Sequence, residues 1–248
     1  MGLSSPAAEC LGCTVTGGTV QHLTEASSGQ QVLLVTPQAA EITFRYDYAD
    51  HPGHYPDAIF HPAPSRHTQA APALVAEARD LAGEGSDLTR AIRVARGVAE
   101  KFVYGHPAAK YYDGFDHVPH LASGLTEGSC VDIHTYLLAA FRGAGIEAGY
   151  VTGYFFPEGE PCTSGHCWAV SRIDGAVQEW DISHFLQIGR RDVGPSLNPK
   201  GGFRLPVGHS MGLSLPELGV HDLKLLVEPM VMQDGQPVRL SQKTIRAL

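Results

Sequence analysis

Long apolar runs are missing from this 248-residue sequence. None approaches the roughly 20 residues needed to cross a bilayer, so no membrane-spanning helix and no membrane partner are expected. A basic stripe is missing too. Lys and Arg number 18 against 26 Asp and Glu, for a net charge of -8. That balance is a poor match to phosphate backbones or anionic lipid, and nucleic acid is not an expected partner. Cysteine is sparse and odd in number: Cys10, Cys13, Cys130, Cys162 and Cys167. Such a set does not read as a disulfide framework, and it predicts a reducing, cytoplasmic setting. Met1–Pro6 has neither a charged start nor an apolar stretch, so no secretory signal is expected. Pro6 stands where myristoylation wants Ser or Thr. Internal repeats and low-complexity tracts are absent. With 43% hydrophobic and 18% charged residues, the chain is ordinary globular material and not a disordered one.

Histidine, by contrast, is plentiful, with thirteen copies. His51-x-x-His54 and His117-x-x-His120 have helical spacing, and His61, His67 and His184 stand elsewhere. Both HxxH pairs fall in proline-rich or turn-rich stretches, where three or four ligands do not converge as a metal site requires. No metal and no cofactor are expected. Cys10-Leu11-Gly12-Cys13 is a CxxC without a second pair or a following helix signal, and it reads as two plain thiols.

An apolar, β-branched run at 31–35 and a period-two segment at 41–46, with turns at Gly17-Gly18 and Ser27–Gly29, predict an N-terminal antiparallel β region over 1–50. Residues 51–73 carry Pro52, Pro56, Pro62, Pro64 and Pro72, which forbid a continuous helix or a central strand and predict a long surface loop. The core is expected over 74–248. It begins with a helix from Ala73 to Leu81, then one capped by Ser86 or Asp87 whose Leu88, Ile92, Ala95, Ala99 and Phe102 share a face. Residues 105–129 read as loop, with Tyr111, Tyr112 and Phe115 as a candidate cleft wall. Val131–Ala144 predicts a largely buried helix marked by Ile133, Leu137 and Phe141. Strands are expected at 146–156, 166–173 and 176–182, the last two joined by an Asp174-Gly175 hairpin turn. Irregular chain follows to about Val220, then strands at 224–232 and 238–240.

Three side chains in this frame suggest chemistry. Cys130 falls at the first turn of the buried helix, where the helix start favours the thiolate and offers unpaired N–H groups to an oxyanion. Gly128 and Ser129 precede it and are candidate substrate-contacting residues. His166 opens a strand and shares a face with Trp168. A two-residue turn at Asp174-Gly175 pairs 173 with 176. Asp181 then lies diagonally across from His166, about 7–8 Å away at the backbone, within reach of a His–carboxylate hydrogen bond. Glu179 on the same face is a weaker rival. Cys167 points to the opposite face and reads as core, with a Cys162–Cys167 bond not expected in a reducing compartment.

Gly128-x-Cys130-x-Asp132, Phe141–Ile146, Tyr150–Tyr154, His166-x-Trp168 and Trp180-Asp181 together resemble the transglutaminase-like superfamily, part of the papain-like thiol enzymes. The resemblance covers about residues 75–190; the flanking regions fit bacterial members more loosely. It implies an α+β fold with the catalytic helix packed on an antiparallel sheet. It also implies Cys130 as nucleophile, His166 as base and Asp181 as its orienter; Gly128, Ser129, Trp168, Tyr112 and His120 are the candidate substrate-binding residues. The implied activity is that of a thiol-dependent amide hydrolase or acyltransferase on a protein, peptide or small amide. An amide-forming synthase and a non-catalytic binding module of the same fold are the alternatives. No acidic cluster resembles a calcium loop. Two positions depart from the pattern: Gly149 stands where the family usually has Arg, and Ile182 where many members have Pro.

Overall fold

The computed structural model describes residues 2–160, 165–196, 199–240 and 242–248. Four strands form the N-terminal region: β1 (Glu9–Thr16), β2 (Gly18–Thr24), β3 (Gln31–Pro37) and β4 (Thr43–Ala49). β1 pairs with β4 and β2 with β3, all antiparallel. The Tyr48 hydroxyl and the Leu3 N–H both donate to the Pro206 carbonyl, which ties this region to the edge of the main sheet.

The core starts with α1 (Pro72–Ala82) and α2 (Asp87–Ala99), the second capped by Ser86, whose hydroxyl accepts from Thr89 N–H. α2 ends earlier than its apolar spacing suggests. Leu88 is exposed, and Phe102 is buried in a short strand, β5 (Phe102–Tyr104). β5 pairs in parallel with β6 (Thr126–Gly128), inside the stretch expected to be loop. Three-residue strands carry no readable periodicity. α3 (Cys130–Gly143) follows directly.

The main sheet has the order β10–β7–β8–β9 and is antiparallel throughout. Its members are β7 (Glu147–Pro157), β8 (Gly165–Ile173), β9 (Ala176–Trp180) and β10 (Gly202–His209). Asp174 and Gly175 take φ values of 52° and 78°, the left-handed pair that a two-residue hairpin needs. α3 packs on the face carrying Ala148, Tyr150, Cys167, Ala169 and Trp180. The Phe141 and Trp180 rings meet edge to face at 5.3 Å. The other face carries Val151, Trp168 and Val170, covered by Leu3, Tyr55, Ile59 and Phe60.

That cover corrects the reading of 51–73 as chain laid on the surface. The prolines exclude long regular structure, yet the segment makes a 3-10 turn at Asp57–Phe60 and buries Tyr55, Ile59 and Phe60. It explains Gly149 as well: a Cβ there would sit 2.5 Å from the Ile59 carbonyl oxygen.

A second correction concerns 182–220. A short helix, α4 (Ile182–Gln187), follows Asp181, and β10 pairs along β7. Pro206 had argued against a strand. The strand accommodates it on an edge, where the register shifts between Pro206 and Gly208. The tail adds β11 (Leu213–Leu215), β12 (Val220–Leu223), β13 (Met230–Gln233) and β14 (Gln236–Arg239), so the strand expected over 224–232 is only its last residues. Among the described residues no helix is long and apolar enough to cross a membrane.

Candidate active site

Cys130 is the first residue of α3 and is nearly buried. The helix start is fixed by Asp132, whose Oδ2 accepts from the Ser129 N–H at 2.8 Å and the Ser129 hydroxyl at 2.7 Å. The thiol is held well below its ordinary value. Cys167 hydrogen-bonds it; burial opposes the anion; His166 supports it both as hydrogen-bond donor and as charge. Cys167 itself, as expected, lies on the core face and carries a free thiol pushed up by burial. Cys162 lies outside the described residues.

His166 stands at the start of β8, and its Nε2 is 2.7 Å from Asp181 Oδ2. The expected register is the observed one: Ile173 pairs with Ala176 and Ala169 with Trp180. With Nε2 committed to the carboxylate, Nδ1 is the nitrogen left to serve the thiol. Burial works against a charged ring, but the charge and hydrogen bond of Asp181 prevail and raise His166 to about 9. Asp181 is fully buried and caps α4, accepting at Oδ1 from the Ser183 hydroxyl at 2.6 Å and His184 N–H at 3.1 Å. Burial alone would raise this carboxyl; the surrounding imidazoles, His166 first, hold it well below the usual range.

Three further groups converge on Asp181 that sequence reasoning did not assign. Arg204 of β10 donates to Oδ2 at 2.8 Å. His184 Nδ1 lies 3.1 Å from the same oxygen, and its ring stacks on that of His166 at 4.4 Å. His134, one helical turn beyond Cys130, has Nε2 3.6 Å from Oδ1 and Nδ1 3.8 Å from Cys167 Sγ. The i, i+4 spacing of Cys130 and His134 was the readable signal. Arg204 had none, because its strand was not recognised.

The remaining sequence candidates have identifiable partners. Gly128 is packed so closely that a Cβ would meet the Phe102 ring at 3.0 Å. Ser129 is the α3 cap. Trp168 is buried with Nε1 donating to the Tyr55 hydroxyl at 3.1 Å, its ring 6.3 Å from that of His166. Tyr112 donates to Asp132 Oδ1 at 2.7 Å, beside the helix start. His120 is turned to Glu77 of α1, 3.2 Å away, rather than toward Cys130. Glu179, the rival carboxylate, accepts from the Tyr55 hydroxyl at 2.6 Å and leaves His166 to Asp181.

Among the described residues, one set could supply three ligand atoms to a metal: His166, Asp181 and His184. Its donors are already used. The Arg204 guanidinium lies 2.8 Å from Asp181 and 2.7 Å from His184, where a cation would have to enter. A cavity of about 570 Å³ lies at the far end of α3, between Pro62, Pro64 and Arg142, away from the thiol. Another, of about 440 Å³, lies beside the sheet and is lined by Tyr55, Trp168, Glu179 and Arg204.

A thiol at a helix start, an imidazole on a neighbouring strand and a buried carboxylate behind it come together at the start of α3. Residues 75–180 match the family model described as the transglutaminase-like superfamily. The fold is also that of a solved structure, a "Putative Cysteine Protease" from Cytophaga hutchinsonii. That match has a TM-score of 0.51 at 15% identity and covers 84% of this chain and 73% of that one. A "putative protease" from Parabacteroides distasonis aligns with a TM-score of 0.33 at 14% identity, over 67% of this chain and 36% of that one. A search of the curated proteins found no match.

Proposed function

We infer that the chain is a thiol-dependent amide hydrolase or acyltransferase in which Cys130 is the nucleophile, His166 the acid–base and Asp181 its orienter. The observation that carries this reading is the 2.7 Å His166–Asp181 bond, behind a thiol that the Cys167 hydrogen bond and then His166 hold below its ordinary value. Cys130 Sγ bonds to the amide carbonyl carbon, and the first-turn N–H groups of α3 receive the oxyanion. The C–N bond then breaks, and the proton on His166 passes to the leaving amine or ammonia. A thioester remains on Cys130. Water or a primary amine attacks it, giving its proton back to His166, and the thiolate is released. The acyl donor is a glutamine side chain or a peptide bond of a protein, peptide or small amide. The cytoplasm, a reducing compartment, keeps the thiol in the form that this chemistry needs.

His134 also lies near both Cys130 and Asp181. It is fully buried, its Nε2 is beyond hydrogen-bond distance of the carboxylate, and burial pushes its basicity down. A ring in that position cannot follow a proton to a departing amine, so the role falls to His166.

The test is incubation with a glutamine-containing peptide library, with and without a primary amine, read by mass spectrometry beside Cys130→Ala. Deamidation, amine adducts and backbone cleavage have different masses, so the acyl acceptor is identified in the same run. An amide-forming synthase would instead join a supplied amine to an acyl donor without deamidating the peptides. Turnover that persists in Cys130→Ala would overturn the mechanism.

A further inference from the structure

Three imidazoles, those of His134, His166 and His184, stand within 3.6 Å of one carboxylate, Asp181. Asp181 and the Cys130 thiolate supply two negative charges here against the His166 imidazolium and the Arg204 guanidinium; a third buried cation would be left uncompensated. The site therefore needs a means of choosing which ring is charged. His134 is set aside by distance. His184 is not: its Nδ1 is 3.1 Å from Asp181 Oδ2, and its ring stacks on that of His166 with planes 16° apart.

Arg204 resolves the choice. One of its guanidinium nitrogens lies 2.8 Å from Asp181 Oδ2 and 2.7 Å from His184 Nδ1. A guanidinium only donates, so His184 Nδ1 must accept, which makes that ring neutral with its proton on Nε2. The short His184–Asp181 approach is then a contact between two acceptors that share one donor. We propose that Arg204 is a positioning residue that holds His184 neutral and so reserves Asp181 for His166. This rests on the Cys130–His166–Asp181 reading above.

The electrostatics agree. Burial, with the charges of His166, Arg204 and Lys200, pushes His184 down to about 3 against the pull of Asp181. The charged and titratable groups around His166 are Cys130 and His134 from α3, Cys167 on its own strand, Asp181 and His184 at α4, and Arg204 from β10. Arg204 bonds to Asp181 and to His184, so its effect is on which ring holds the proton.

Two measurements test the assignment. Long-range ¹H–¹⁵N spectra of the unmutated protein should show His184 protonated on Nε2 alone from about pH 5 to pH 8. A proton on Nδ1, or titration within that window, overturns the proposal. The second follows alkylation of Cys130 by iodoacetate against pH, read on the Cys130 peptide by mass spectrometry. Iodoacetate is an anion, so its rate falls when the imidazolium beside the thiolate loses its proton.

Arg204→Gln should lower that alkaline limb by about one pH unit or more, as His184 takes a share of Asp181. Removing the competitor in Arg204→Gln/His184→Gln should restore it. Arg204→Lys, which keeps a cation there, should fall between the two. An unchanged limb in Arg204→Gln, or a loss that the second substitution does not recover, overturns the proposal. If the Cys130 reading itself fails, the unmutated protein will show no low-pH alkylation of Cys130. The His184 tautomer still tests Arg204 in that case. It also decides the matter should Arg204→Gln not fold.

Discussion

His166 Nε2 and Asp181 Oδ2 are 2.7 Å apart, and the thiol of Cys130 shares in the charge this pair holds. The sign of the pH dependence follows. His166 is raised from 6.5 to about 9, so its imidazolium contributes fully below 6.5 and is lost as pH rises through about 9. The thiolate is present down to a pH well below the ordinary thiol value and is lost as pH falls through that lowered pKa. Activity should therefore decline on the alkaline side near 9. His166→Gln should slow iodoacetate alkylation of Cys130 at about pH 6 by roughly tenfold or more. An unchanged rate would mean that the imidazole does not sustain the thiolate.

Asp181 has a second dependant in Arg204, so its substitution affects stability as well as rate. Asp181→Asn keeps a residue able to cap α4 but removes the carboxylate that lies 2.8 Å from the buried guanidinium. Activity should fall by a factor on the order of 10² to 10⁴. Stability to urea should fall by about 3–5 kcal/mol, the usual cost of stranding one partner of a buried pair. Adding Arg204→Gln should recover part of the stability and none of the activity. Full stability in Asp181→Asn alone would show that the pair contributes little.

The His166–Asp181 contact was legible in the sequence because Asp174-Gly175 fixes the hairpin register, and register fixes which side chains face each other. Cys130 was legible because an apolar helix begins there. Arg204 was hidden by local chemistry: Gly201, Gly202, Pro206 and Gly208 all argue against a strand. Here β7 supplies the pairing, and a register shift absorbs the proline. α4 has six residues, too few for a helical period to show. His134 stood at a readable spacing from Cys130, but every neighbour on α3 from Asp132 to Phe141 is buried, so nothing set that face apart. Residues 51–73 misled because proline content reports what backbone is excluded, not what is buried; Ile59 is fully covered within that segment.

His134 provides a discrimination between two rings close to the same thiol and carboxylate. Its Nδ1 faces Cys167 at 3.8 Å, and burial keeps it neutral. His134→Gln should reduce activity by less than about tenfold, while His166→Gln should reduce it by about 10² or more. Side-by-side kinetics on the substrate found with the peptide library make the comparison. The reverse order would move the acid–base role to His134.

Gly149 marks where the covering segment meets the sheet. β7 and the turn at Asp57–Phe60 approach so closely that a Cβ on residue 149 would lie 2.5 Å from the Ile59 carbonyl oxygen and 2.6 Å from its Cγ1. The first contact is with backbone, which cannot swing aside as the tip of a side chain does. Gly149→Ala must push the turn outward, and with it Tyr55, Ile59 and Phe60, the cover over Trp168 and Val170. The cost should be roughly 1–3 kcal/mol in urea denaturation, the range for overpacking a filled core. Gly149→Arg, which restores the residue common at this position in the family, should cost more than Gly149→Ala, because here the space is filled by Ile59. Trp168 fluorescence, with Trp180 as the only other tryptophan, should report the loosened cover in both variants. A fully stable Gly149→Arg would show that the Asp57–Phe60 turn is not anchored against β7.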